Sequence, residues 1–248
     1  MLTSGFDSTY KKISFSSDGY LLNGSLHLPA NDTPPVVIGS HGLFSTSNSP
    51  KQIELAKRCN QLGIAFFRFD HRGCGQSDGI FEAVTSLDAR CNDLLSAIQI
   101  IQKRNDIGNK IGLFGSSMGG AVCISVAFEF HVDSLVTVAA PVLGHAIVEA
   151  LEKSSVPDEL TTSLTRKRRR SDIIDKLSSL HHILIFHGDS DELIPSSNAL
   201  EIYDKAGHPK KLVMQAGGDH RMSNSTHQET FVKEAANWFK NCFDGSLH

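Results

Sequence analysis

Apolar positions along the chain change their spacing repeatedly, and each change marks an element. From Tyr10 to Leu28 two strand-like runs flank Asp18-Gly19, a pair that favours the tight turn of a β-hairpin. Val36–Ser40 and Ile64–Phe69 are short apolar runs of strand type, with a helix predicted between them over residues 50–62, ending near Gly63. Over residues 86–104, Leu87, Leu94, Leu95, Ile98 and Ile101 recur at three- and four-residue intervals, which predicts an amphipathic helix. Ile111–Phe114, Leu135–Ala139, Ile183–His187 and Lys211–Gln215 read as strands, and Ala121–Phe130 and Thr226–Cys242 as helices. An antiparallel opening followed by repeated strand–helix units predicts an α/β protein: a mostly parallel, twisted sheet with helices on both faces. Ligands in such sheets bind at the carboxyl ends of the strands.

The rhythm fails between Pro141 and His181, which is too long and too polar for an ordinary connection. We read 1–248 as one domain, with 141–181 as a small helical lid inserted over the strand ends. Within it, Arg166 to Arg170 form an unbroken basic run. A solvated helix face and an anionic-substrate clamp are both open readings of that run. A nucleic-acid patch is disfavoured, because the formal net charge of the chain is −3.

Composition narrows the class further. A length of 248 residues and 40% hydrophobic content suit one sizeable globular core. The five cysteines (Cys59, Cys74, Cys91, Cys123, Cys242) are odd in number and lack C-x-x-C spacing, which argues against a disulfide framework or a zinc site. The N-terminus lacks the charged and apolar regions of a signal peptide, and no apolar stretch approaches the ~20 residues that span a bilayer. The expectation is a cytoplasmic protein without stable membrane insertion, nucleic-acid partner, metal or cofactor. Oligomeric state is not readable.

The chemistry lies in Gly115-Ser116-Ser117-Met118-Gly119, a G-x-S-x-G sequence between a predicted strand and a predicted helix. Such a turn holds its serine in a strained backbone conformation with the hydroxyl exposed, and the flanking glycines let strand and helix approach closely. A serine hydroxyl is a poor nucleophile unless an imidazole takes its proton, and the imidazole needs a carboxylate to fix its tautomer. Two downstream strand ends supply candidates: His187-Gly188-Asp189-Ser190-Asp191 and Gly217-Gly218-Asp219-His220. Asp189 and Asp191 are rival carboxylates on the residues alone. Asp219 is read as loop-shaping, and His41 and His187 as buried hydrogen-bonded residues.

Four motifs in one order give the chain its resemblance: His41-Gly42-Leu43-Phe44, Asp70-His71-Arg72-Gly73-Cys74-Gly75-Gln76-Ser77, the Ser117 turn, and the paired acid and histidine loops. From about Tyr10 to Phe239 the chain resembles the α/β-hydrolase family, especially its small-lid serine esterases and the monoacylglycerol-lipase-like and serine-aminopeptidase-like branches. The resemblance implies Ser117 as nucleophile, His220 as general base and Asp191 as catalytic acid, the fifth residue of the acid-loop pattern. It implies backbone N–H donors to the oxyanion from Met118 and Leu43, with Phe44 as the alternative to Leu43. Asp70 and Arg72 are expected to hold their loop together. The implied activity is hydrolysis of small to medium acyl esters through an acyl-enzyme. A lipase, thioesterase or aminopeptidase of the same fold, and a non-catalytic binding protein, are the alternatives.

Overall fold

The computed structural model describes residues 10–143 and 173–247, with the side chain of Asp175 excepted. In chain order the strands are β1 (Tyr10–Ser17), β2 (Tyr20–His27), β3 (Val36–Ser40), β4 (Ala65–Phe69), β5 (Ile111–Ser116), β6 (Ser134–Val138), β7 (Ile183–Gly188) and β8 (Lys210–Gln215). Among the described residues the helices are α1 (Pro50–Gln61), α2 (Phe81–Val84), α3 (Leu87–Gln102), α4 (Met118–Glu129), α5 (Ile173–Lys176), α6 (Ser197–Lys205) and α7 (Ser225–Phe243).

The strands form one sheet in the order β1-β2-β4-β3-β5-β6-β7-β8. The pairs β1/β2 and β2/β4 are antiparallel, and every later pair is parallel. The hairpin turns at Asp18 and Gly19, both at positive φ (48° and 85°), as a two-residue turn matching strand twist requires. Register aligns the carboxyl ends: Ser40 sits opposite Gly115, Ser116 opposite Val138, and Gly188 opposite Gln215. The loops that leave β3, β5, β7 and β8 therefore emerge along one edge of the sheet.

Side chains alternate along each strand, so the sheet separates two cores. Val36, Ile38, Leu113, Leu135, Ile183 and Ile185 pack in a cluster with Leu94 and Ile98 of α3, Ala121 and Ile124 of α4, and Ile202 of α6. Val37, Phe66, Phe114, Val136, Leu184 and Phe186 pack in the other, with Leu55 and Cys59 of α1 and Phe231, Trp238 and Phe239 of α7. Phe231 meets both Phe114 and Phe186 at ring-centroid distances of 5.4 Å. Such aromatic contacts are worth ~1 kcal/mol each beyond area burial. They pin the first turns of α7, the helix entered directly from the His220 loop.

Helix ends follow local chemistry. Ser86 caps α3, its Oγ accepting from the Ala89 amide at 3.1 Å, and Asn224 caps α7, accepting from the Thr226 amide at 2.9 Å. Two helices were not legible in the sequence, α2 and α6. α6 has nine residues and a short buried stripe of Ala199 and Ile202, too brief to stand out from the polar loop before it. α4 begins at Met118, three residues before the predicted helix, because the turn at Ser117 runs into it without a spacer.

Of the 141–181 insertion, residues 144–172 lie outside the described residues, and with them the basic run Arg166–Arg170. At its far end Ile173, Leu177 and Leu180 are buried in the first core cluster, so this end belongs to the main body. All five cysteines are buried and none is in a disulfide. Among the described residues no helix is long and apolar enough to cross a membrane.

Candidate active site

Ser117 sits at the hinge between β5 and α4 with φ 54° and ψ −124°, a left-handed conformation that costs a non-glycine residue about 1–3 kcal/mol. Its neighbours explain why it is tolerated. A Cβ at Gly119 would strike the carbonyls of Ser40 and His41, and one at Gly115 would strike the backbone of Gly119 and Gly120. Glycine at both positions lets β3, β5 and α4 meet with backbone in contact. The Ser117 amide donates to the Val138 carbonyl at 2.8 Å, which ties the turn to β6.

The acid and histidine loops are fastened to each other. Gly188 lies against the Gly218 backbone, where a Cβ would overlap the Gly218 carbonyl. Asp189 N–H donates to the Gln215 carbonyl and Ser190 N–H to the Gly218 carbonyl, both at 3.1 Å. Thus His220 and Asp191 are brought together although 29 residues separate them.

The resulting line of contacts is continuous. His220 Nε2 lies 3.1 Å from Ser117 Oγ, and His220 Nδ1 lies 2.9 Å from Asp191 Oδ2 and 3.1 Å from Oδ1. Asp191 Oδ1 also accepts from the amides of Leu193 (2.9 Å) and Ile194 (2.8 Å). Burial by itself would raise the Asp191 carboxyl, but hydrogen bonds from His187, His220 and the Ile194 amide outweigh it and hold the group well below the carboxylate range. An ionised Asp191 accepts the Nδ1 proton of His220, leaving the Nε2 lone pair aimed at Ser117.

The rival carboxylate does different work. Asp189 Oδ1 accepts from the Gly217 amide at 2.7 Å and from Ser190 Oγ at 3.1 Å. Asp219 accepts from Ser223 N–H (2.7 Å) and Oγ (2.6 Å), and these bonds lower its carboxyl. Asp70 receives the amides of Ser47 and Gln76, while Arg72 Nε and Nη2 bind the buried Asp93 at 2.9 and 2.7 Å. His41 donates from Nδ1 to the Gly42 carbonyl at 2.8 Å and accepts the His71 amide at Nε2 at 3.1 Å.

The loop after β3 lies against the serine, with an added Gly42 Cβ falling 3.5 Å from Ser117 Cβ. Among the described residues, the amides of Leu43 and Met118 make no hydrogen bond to protein. Both residues line a cavity of about 460 Å³ that also reaches Phe44, Ile194, Ser117 and His220. Lys51 and Arg221 line it as well. Lys51 Nζ donates to the Arg221 carbonyl at 2.7 Å, and burial lowers its ammonium against the fields of Asp219 and Asp191. Phe44 is 61% exposed at the rim and stacks obliquely on Phe81, centroids 5.7 Å apart.

Two residues that sequence reasoning left out of the site touch its parts. His187 is buried and shares its Nε2 proton between the Ile194 carbonyl (2.9 Å) and Asp191 Oδ2 (3.3 Å), which steadies the carboxylate. Arg90 is fully buried and reaches the carbonyls of His41, Gly42 and Leu43. Its signal was present: a charge three residues after Leu87 and four before Leu94, on the apolar face of α3.

Comparison with known proteins agrees with this architecture. The family profile described as serine aminopeptidase, S33, matches residues 32–179. The chain is 26% identical over 249 residues to YqkD of Bacillus subtilis (strain 168), covering 93% of this chain and 79% of that protein. It is 28% identical over 213 residues to the mitochondrial palmitoyl-protein thioesterase ABHD10 of Mus musculus, covering 76% of this chain and 69% of that protein. It spans 65% of the length of YfhR from Escherichia coli (strain K12), so some relatives are considerably longer. Among solved structures, Est1E from Butyrivibrio proteoclasticus with bound ferulic acid superposes with TM-score 0.78 at 21% identity, covering 94% of this chain and 99% of that one. The fold is the α/β-hydrolase fold.

Proposed function

The chain belongs to the S33 serine aminopeptidase family of hydrolases, and from that premise we propose that it cleaves carboxylic esters through a covalent acyl-enzyme. In this reading Ser117 is the nucleophile, His220 the general base and Asp191 the carboxylate that fixes the imidazole. The observation that carries it is the unbroken contact from Ser117 Oγ through His220 to Asp191, at 3.1 and 2.9 Å, opening into a cavity. Ser117 Oγ attacks the ester carbonyl as its proton passes to His220 Nε2, and the tetrahedral oxyanion is received by the amides of Leu43 and Met118. The imidazolium then protonates the leaving alcohol, and water, activated by the same imidazole, releases the acid.

Helix geometry supports the oxyanion assignment. Met118 opens α4, where an unpaired N–H and the positive end of the helix dipole both favour an anion. Losing one donor of this kind costs about 3 kcal/mol. Hydrolysis of acyl thioesters is a second reading, favoured by the named activity of the mouse relative and by the exposed Phe44 on the cavity lining, which suits an acyl chain. A matched series of p-nitrophenyl esters and acyl-N-acetylcysteamine thioesters from C2 to C12 separates the two. Ester cleavage peaking between C2 and C8 is expected. Absence of turnover on both series refutes the ester and thioester readings.

A further inference from the structure

Arg90 is the one large cation among the fully buried side chains, and it has no carboxylate within ion-pair distance among the described residues. Burying a guanidinium is costly unless its donors are occupied. Here they are. Nη1 donates to the carbonyls of His41 (3.2 Å) and Gly42 (3.3 Å), and Nη2 to the carbonyl of Leu43 (3.0 Å) and to Cys74 Sγ (3.4 Å). Nε donates to Thr85 Oγ1 at 3.2 Å. A charged group from α3 therefore holds three consecutive carbonyls of the loop after β3.

The consequence follows from peptide planarity. In a trans peptide the carbonyl and the N–H of the next residue point in opposite directions. Holding the Gly42 carbonyl toward Arg90 turns the Leu43 N–H away from it. The Gly42 carbonyl is doubly secured, since His41 Nδ1 and the Ser45 amide donate to it as well. Gly42 itself has wide conformational freedom. The guanidinium fork, planar and fixed, removes that freedom from behind.

We propose that Arg90 is a positioning residue that sets the oxyanion-binding amide of Leu43 by gripping the carbonyl side of its loop. The proposal rests on the reading of Ser117 as nucleophile. It distinguishes Arg90 from a residue that merely fills the core, because its loss would weaken the transition state more than the bound substrate.

The experiment compares wild type with Arg90→Lys and Arg90→Met, using p-nitrophenyl butyrate turnover, inhibition by phenylboronic acid, whose serine adduct is tetrahedral and anionic, and thermal melting followed by circular dichroism. Arg90→Met is expected to lower kcat by about 100-fold or more, with KM within about threefold and boronate affinity weakened in parallel. Arg90→Lys, a point charge that reaches fewer carbonyls, is expected to fall in between. If Arg90→Met does not fold, the lysine variant carries the same test. A folded variant with kcat and boronate affinity within threefold of wild type overturns the proposal, as does a change confined to KM. Failure of both variants to fold at 25 °C also overturns it, making Arg90 a residue of the fold alone. Wild type that fails to react with a fluorophosphonate at Ser117 would instead sink the underlying functional reading.

Discussion

Replacing Asp191 by asparagine would change one atom and reverse the hydrogen-bond logic of the site. Asp191 Oδ1 is claimed by two amides, Leu193 at 2.9 Å and Ile194 at 2.8 Å, so the asparagine oxygen must stay there. Its NH₂ group then takes the Oδ2 position, 2.9 Å from His220 Nδ1 and 3.3 Å from His187 Nε2. Both of those nitrogens carry protons in the native arrangement. His220 can relieve the clash only by moving its proton to Nε2, which then points a donor at Ser117 and cannot accept the hydroxyl proton. The same substitution in a chymotrypsin-type triad lowers kcat by about 10⁴ with the geometry intact, which is ~5.4 kcal/mol of barrier at ~1.36 kcal/mol per tenfold. A loss of that size in kcat for p-nitrophenyl butyrate is expected for Asp191→Asn, with little change in KM. Asp189→Asn is the internal control, because Asp189 binds Gly217 and Ser190 rather than His220, and its kcat is expected within about threefold of wild type. Retention of more than a tenth of wild-type kcat by Asp191→Asn would refute the reasoning. So would a collapse of Asp189→Asn alone.

Gly119→Ala drives a Cβ into the Ser40 and His41 carbonyls, and we expect destabilisation of about 3 kcal/mol, roughly 6–12 °C in Tm, together with loss of turnover. A melting curve unchanged from wild type would contradict the close backbone contact. Leu43→Ala alters the cavity wall but keeps the backbone donor, so KM should shift while kcat stays within about fivefold; a 100-fold kcat loss would place the function in the side chain. Stability should fall with acid. His27, with its Nε2 accepting from Arg68 Nε at 2.9 Å, is held at about 4 by burial and by the neighbouring guanidinium. The unfolded chain takes up that proton near 6.5, so this contribution is complete above about 6.5 and lost as pH falls toward 4. His27→Gln keeps an acceptor for Arg68 and should flatten the decline in urea midpoint between pH 7 and 4.5; identical slopes in the two proteins would contradict the assignment.

The sheet was legible because its central strands are mainly apolar and buried and its longer helices carry clear periodicity. Val36–Ser40 appears with the bounds its apolar run suggests, and the hairpin turns where Asp18-Gly19 places it. The G-x-S-x-G turn was legible for a steric reason, since only glycine fits against the Ser40 carbonyl and the elbow itself. What sequence could not convey was which groups face one another across loops. Asp189 and Asp191 differ by two positions in one polar loop; the residues alone leave them as rivals, the resemblance points to Asp191, and in the fold Asp191 is the one that meets the imidazole. His187 was legible as a buried hydrogen-bonded residue, which it is, but its contact to Asp191 was not, and Arg90 escaped altogether. Each sits within an apolar element, where a lone polar residue reads as an exception to the pattern rather than as a support for the loops beyond it.

The central claim is that Ser117 is a nucleophile made reactive by His220, and it is tested most directly by mass spectrometry of the protein after treatment with a fluorophosphonate. The account predicts one stoichiometric adduct on the peptide containing Ser117, absent in Ser117→Ala and slowed at least ~100-fold in His220→Ala. An adduct on another residue, or equal labelling rates in wild type and His220→Ala, would contradict it.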